Sequence, residues 1–170
     1  ALPISRTMDT DILAIREVQP GDNKALAALI RKVFEEHDAP RQNTVYSDPT
    51  TDNLYELFNQ PDAILWVAEL NSTIVGCAGV YPTEGLPPGH AELVKIYLSA
   101  QSRGRGIGKG LINQCFQSAK DLGYTHLYLE SMPEFATAVN MYYKLGFSDL
   151  PAAMGNSGHT ACTIWMIKEL

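Results

Sequence analysis

The run Glu92-Leu93-Val94-Lys95-Ile96-Tyr97-Leu98-Ser99-Ala100-Gln101-Ser102-Arg103-Gly104-Arg105-Gly106-Ile107-Gly108 decides how the rest of the chain is read. Its first half suits a pleated surface, with Val94, Ile96 and Tyr97 and no Gly or Pro before Gln101. Its second half is a glycine-rich turn, and a helix follows. Ile107, Leu111, Ile112, Cys115, Phe116, Ala119 and Leu122 recur at three- and four-residue intervals before Gly123 supplies a stop.

A strand, a turn and a helix in this order make an anion site. The first amide N–H groups of the helix have no internal partner, and the aligned peptide dipoles leave partial positive charge there. Gly104, Gly106 and Gly108 open backbone conformations closed to other residues, and Arg103, Arg105 and Lys109 add cationic donors. An ordinary turn with solvated arginines has the same composition. A Walker A loop is excluded, because Gly104 and Gly108 are separated by three residues and Lys109 is followed by Gly110, with no hydroxyl for magnesium. A dinucleotide fingerprint counted from Gly104 requires Gly where Lys109 stands.

The order Gln101-x-x-Gly104-x-Gly106 directly after a strand resembles the coenzyme A pyrophosphate loop of the GNAT superfamily, the acyl-CoA-dependent N-acetyltransferases. Downstream, Met141-Tyr142-Tyr143-Lys144-Leu145-Gly146-Phe147 resembles the end of that family's last conserved helix. The resemblance covers nearly the whole chain, Ile12 to Lys168. It implies acetyl-CoA as acyl donor, held by Gln101, Arg103, Gly104, Arg105, Gly106, Ile107, Gly108 and Lys109. It also implies a strand backbone at Ile96, Tyr97 and Leu98 that braces the pantetheine arm and the thioester where two strands splay apart.

At 170 residues and 45% hydrophobic content, the chain from residue 8 onward is expected to form one domain. Residues 1–7 precede Met8 without periodicity and are expected to be an expression remnant. A net charge of −6 excludes a nucleic-acid groove, which needs clustered Lys and Arg. No apolar run approaches the ~20 residues of a membrane span, so a cytoplasmic protein is expected. Cys77, Cys115 and Cys162 are widely spaced and read as reduced and buried; none lies near either motif, which argues against a covalent acyl-enzyme. His90 and Glu92 share a strand face, but two ligands do not make a metal site, and no metal is expected.

Taken in order, Ile12 to Gln19 is a strand, Ala25 to about Glu36 an amphipathic helix, and Asn53 to Phe58 a short helix. Ile64 to Leu70 and Thr73 to Tyr81 form a hairpin across Asn71-Ser72. Thr125 to Ser131 pairs in parallel with the central strand, because the intervening helix supplies the crossover. Glu134 to Leu145 is helical, Phe147 opens a short strand, and Thr160 to Ile167 is the last one. The expected fold is α/β, a mixed, mostly antiparallel sheet of about seven strands with flanking helices, in the order β-α-α-β-β-β-α-β-α-β-β. The chain is expected to be a monomer, or a homodimer in which the last strand pairs across the interface.

An alkyl amine with a pKa of ~10.4 is mostly protonated at pH 7, and freeing it costs about 4 to 5 kcal/mol, so acyl transfer to an amine needs a base. Counting in twos places Glu92 on one face with Val94, Ile96 and Leu98. A carboxylate ahead of an apolar face sits at an exposed strand end or in a cleft where desolvation raises its pKa. The resemblance implies the cleft and the base role. It also implies that Tyr142, four residues before Gly146, is the acid for the departing thiolate; packing beneath the sheet is the structural alternative. Where the family often has Asn bonding the cofactor arm, seven residues before that tyrosine, this chain has Phe135.

Residues 37–52 are polar and turn-rich, and read either as a solvated loop or, by resemblance, as the wall over the acceptor. His37, Arg41 and Tyr46 are its candidate contacts. Gly155-Asn156-Ser157-Gly158-His159 reads as a turn; some bacterial acetyltransferases carry a similar loop that brings the histidine, here His159, to the acceptor side. The acceptor is expected to be a small-molecule primary amine, and the acidic balance is compatible with a cationic one. A non-catalytic acyl-CoA-binding module is the rival reading.

Overall fold

The structure, a computed structural model, describes residues 11–170. The proposed remnant at 1–7 lies outside the described residues. A seven-stranded sheet has the order β1-β2-β3-β4-β5-β7-β6. The strands are β1 (Leu13–Glu17), β2 (Ile64–Leu70), β3 (Thr73–Tyr81), β4 (His90–Leu98), β5 (His126–Ser131), β6 (Ser148–Leu150) and β7 (Ile164–Glu169). The helices are α1 (Asn23–Glu36), α2 (Leu54–Phe58), α3 (Ile107–Asp121) and α4 (Ala136–Lys144). All neighbours are antiparallel except β4 and β5, which α3 connects in parallel.

The hairpin turn at Asn71-Ser72 has both residues at positive φ, 51° and 67°, the backbone twist that matches the flanking strands. The stripe Leu26, Leu29, Ile30, Val33 and Phe34 of α1 packs with α2 on one face of the sheet. Ile107, Leu111, Ile112, Cys115 and Ala119 of α3 pack with Val139 and Tyr142 of α4 on the other. Each helix thus buries one stripe against the pleated sheet.

Element boundaries shift by one to four residues from the sequence reading, and two of the shifts have a visible cause. Helix α4 begins at Ala136, because Pro133–Phe135 forms a tighter 3-10 turn ahead of it. The last strand begins at Ile164, because Cys162 N–H donates to His159 O at 3.1 Å and closes a turn. The expectation that this strand pairs across a dimer is corrected by its position: β7 lies between β5 and β6 and is paired on both sides from Trp165 to Ile167. The sheet edges are β1 and β6. No helix among the described residues is long and apolar enough to cross a membrane.

Candidate active site

Strand β4 is irregular at its middle. Cys77 pairs with Tyr97 and Gly79 with Val94, so between these pairs one residue of β3, Ala78, faces two of β4. The extra residue is a bulge at Lys95, whose φ of 56° is left-handed. Cys77 Sγ–H donates to the Lys95 carbonyl at 3.1 Å. The bulge resets the alternation of faces, which corrects the count in twos: Leu93, Ile96 and Leu98 pack toward α3, while Val94 and Tyr97 pack toward α1. Glu92 therefore shares its face with Val94 and Tyr97, not with Ile96 and Leu98.

A second irregularity opens the sheet. Pairing of β4 with β5 runs from His90↔His126 to Glu92↔Tyr128 and stops there, although both strands continue. Beyond Glu92 the β5-facing edge of β4 has no strand partner, and its N–H and C=O groups are available to a ligand. A cavity of about 500 Å³ occupies this opening. It runs from the glycine-rich turn, past Ile96, Tyr97 and Leu98, to Glu92 and Tyr142.

At the turn, Gly104 and Gly106 have φ of 77° and 78°, and Gly106 caps α3 in the left-handed conformation. Gly108 has another role, since an added Cβ would lie 2.9 Å from Leu98 Cδ1. Arg103, Gly104, Gly106, Ile107, Gly108 and Lys109 line the cavity, whereas Gln101 and Arg105 do not. The arginines are not merely solvated: Arg103 donates to Leu98 O at 2.9 Å and Glu36 at 3.1 Å, and Arg105 to Asp11 at 2.8 Å. Ser102, buried, donates to Val75 O and Ser99 O and pins the turn to β3.

Glu92 is buried, 4% exposed. Its Oε1 accepts from the Thr83 hydroxyl at 2.6 Å. Burial pushes its pKa up to about 7; repulsion from Glu130 adds to this, and the Thr83 bond and Lys95 oppose it. A carboxyl poised there is half ionised near neutrality and can take up a proton. Tyr142 is also buried and lines the cavity, with no hydrogen-bond partner among the described residues. Burial raises its pKa, so the phenol keeps its proton and remains a donor.

The remaining sequence candidates divide. His37 and His159 line the cavity, while Arg41 and Tyr46 lie outside it. Arg41 stacks over the Tyr46 ring at 4.9 Å, and the Tyr46 hydroxyl donates to Glu35 at 2.9 Å. His159 Nε2 lies 2.9 Å from Asp48 Oδ2, and Ala161 N–H donates to Asn43 O at 3.3 Å. Segments 38–53 and 151–163 are thereby joined. Thr44 and Thr51 are buried with their hydroxyls bonded to Arg41 O and Val45 O, which anchors the 38–53 segment although much of it is exposed. Phe135 packs edge-on against Phe34 at 5.4 Å and fills the cavity wall without offering a polar contact.

Several cavity residues escape the sequence reading. Cys162, read from the sequence as buried, is only partly so, and it lines the cavity although it lies far from both motifs in the chain. Burial pushes its pKa up to about 12, with repulsion from Glu130 and Glu92 behind it, so it is a thiol with little nucleophilic character. Glu130 accepts from the Tyr128 and Ser157 hydroxyls at 2.6 and 2.5 Å. Lys95, at 7% exposure, is a buried lysine facing the same space. Its presence in the apolar run from Leu93 to Leu98 is a signal; its direction is not.

Residues 27–147 match the family model described as Acetyltransferase (GNAT) family. The chain is 34% identical over 158 residues to the Escherichia coli K12 N-acetyltransferase YjgM, covering 92% of this chain and 94% of that protein. Its fold superposes on a GNAT-family acetyltransferase from Staphylococcus aureus Mu50 with a TM-score of 0.82 at 19% identity, covering 94% and 99% of the two chains. PaiA N-acetyltransferase from Thermoplasma acidophilum, solved with coenzyme A, gives a TM-score of 0.73 at 19% identity over 94% and 99%. The splayed strand pair, the glycine turn at the head of α3 and these likenesses agree: the chain belongs to the GNAT family of acetyltransferases.

Proposed function

We propose that this protein transfers an acetyl group from acetyl-CoA to the primary amine of a small molecule by direct attack, with Glu92 as base and Tyr142 as donor to the leaving sulfur. The observation that carries the reading is the end of β4–β5 pairing at Glu92, which joins the anion-binding turn to both side chains through one cavity. The diphosphate sits on the free amides from Arg103 to Lys109. The thioester arm follows the unpaired edge of β4 at Ile96 to Leu98.

The reaction needs no covalent intermediate. The amine nitrogen bonds to the thioester carbon, the carbonyl π electrons move to oxygen, and their return expels sulfur. As the C–N bond forms, the nitrogen becomes acidic, and Glu92 with a pKa of about 7 takes its proton. Tyr142 has a pKa above that of a thiol at about 8.5, so it chiefly stabilises the departing sulfur by a hydrogen bond; full proton transfer to the thiolate is uphill. Cys162, held as a thiol, stays outside the chemistry.

The joined segments 38–53 and 151–163 favour a small acceptor over a protein chain, because they cover the far end of the cavity through the His159–Asp48 and Ala161–Asn43 contacts. Thiol release and intact mass measured with acetyl-CoA and a panel of primary amines test the reading. Acetylated amine with stoichiometric free CoA is expected. Binding of CoA without product from any amine overturns the catalytic reading, and no binding overturns the cofactor assignment.

A further inference from the structure

Lys95 lines the cavity, and the machinery above does not use it. It is buried at 7% exposure, yet its amine has no hydrogen-bond partner among the described residues. Asp48 and Glu92 act on it by charge without a direct hydrogen bond, and each has partners of its own. Asp48 Oδ1 accepts from the Thr50 N–H and hydroxyl, and Oδ2 contacts His159. Glu92 Oε1 is held by Thr83.

An ammonium has three donors, and since no enclosed side-chain nitrogen among the described residues lacks a partner, the Lys95 amine is open to the cavity. The backbone is also strained to put it there. Unbroken alternation would place residue 95 beside Leu93 against α3; the left-handed bulge turns it into the cavity with Glu92 instead. A strained backbone and an amine without a hydrogen-bond partner, at one position in the cavity, leave a set of donors open to a ligand.

We propose that Lys95 receives a carboxylate on the acceptor, so that the substrate class is small amines carrying a carboxyl group, oriented with the amine on Glu92 and the acid on Lys95. This rests on the transferase reading above for the role of Glu92, but not for the anion site itself. Lys95 stands between Glu92 and the thioester-bracing residues and is separate in sequence from the diphosphate cations at Arg103 and Lys109. Burial lowers its pKa, opposed by Asp48 and Glu92, and an entering carboxylate adds to the charges that hold its proton.

The test pairs α-, β- and γ-amino acids with their own carboxamides as acceptors. The acids are expected to exceed the carboxamides in kcat/KM by about 10- to 100-fold, the effect of one hydrogen bond to a charged group. Lys95→Met is expected to collapse that ratio toward one, chiefly through KM of the acids, and Lys95→Arg to retain it. Equal use of acids and carboxamides by the parent enzyme overturns the proposal, as does an equal loss on both in Lys95→Met, which marks a role in folding or in the thioester chemistry. Calorimetry of the CoA-loaded parent protein with N-acetyl amino acids and their carboxamides separates the two readings. Acid-selective binding without turnover sustains the anion site and sinks the transferase reading; turnover of carboxamides on a par with acids does the reverse.

Discussion

Replacing Glu92 by glutamine is expected to make the protein more stable above pH 7 while removing most of its activity. Glu92 is buried and its pKa rises from 4.5 to about 7, with burial the main cause. The folded chain therefore holds a proton that the unfolded chain has lost across this window, so stability is highest below about pH 4.5 and falls as pH rises to about 7. At ~1.36 kcal/mol for each tenfold change in proton affinity, keeping the carboxylate ionised in the folded state costs on the order of 3 kcal/mol above pH 7. Glutamine keeps an oxygen for the Thr83 hydroxyl and carries no charge. Allowing for imperfect placement of its amide, a gain of about 1 to 3 kcal/mol is expected at pH 8, seen as roughly 2–4 °C in Tm per kcal/mol. At pH 4.5 the two proteins should differ little. The same substitution should lower kcat/KM by about 10²- to 10⁴-fold, and in the parent enzyme kcat/KM should climb through about pH 7 as Glu92 ionises. Thermal melts at pH 4.5 and 8 beside initial rates check both halves. A variant destabilised equally at both pH values, or one with parental rates, refutes the reasoning.

Tyr142→Phe should reduce kcat by about 10- to 1,000-fold, since a thiolate departs tolerably well unaided, with CoA affinity and Tm unchanged because the hydroxyl has no protein partner. Saturating rates equal to the parent would remove Tyr142 from the mechanism. Gly106→Asp places a carboxylate at the head of α3, at a φ of 78°, and should weaken CoA binding by about tenfold or more in calorimetry; an unaltered affinity would dissolve the diphosphate assignment. Asp48→Asn removes the charged partner of His159. Although burial alone would raise the Asp48 pKa, the His159 and Thr50 bonds bring it down to about 2, so the link should hold from about pH 4 upward and fail only as the pH falls toward 2. The acceptor KM is expected to rise by about tenfold with the acetyl-CoA KM unmoved, and equal changes in both would show that the 38–53 and 151–163 segments do not form the acceptor wall.

Much of the fold was legible because its signals are local. The 3.6-residue stripes from Leu26 to Phe34 and from Ile107 to Ala119, the two-residue turn at Asn71-Ser72 and the glycine stop at Gly123 each declare themselves within a few positions. The parallel pairing of β4 with β5 followed from the length of the crossover between them. The glycine-rich turn was legible for the same reason, since its glycines and flanking cations lie within eight residues.

The interior of the site was not legible, because it depends on register. One extra residue at Lys95 shifts every later side chain of β4 to the opposite face, and no rule of alternation anticipates it. Cys162 and Glu130 reach the cavity from distant segments, and His159 meets Asp48 across 111 positions. The central position of β7 likewise depends on which edge β5 leaves free.

The order of elements, the family and the glycine-rich turn are properties of the chain itself, since hydrophobic period and backbone permissiveness act between near neighbours. Where β4 and β5 part, which way Lys95 turns and how acidic Glu92 is were decided only when the sheet closed. Strand register and burial are set by residues far apart in sequence, and they determine both the width of the cleft and the solvation of every charge within it.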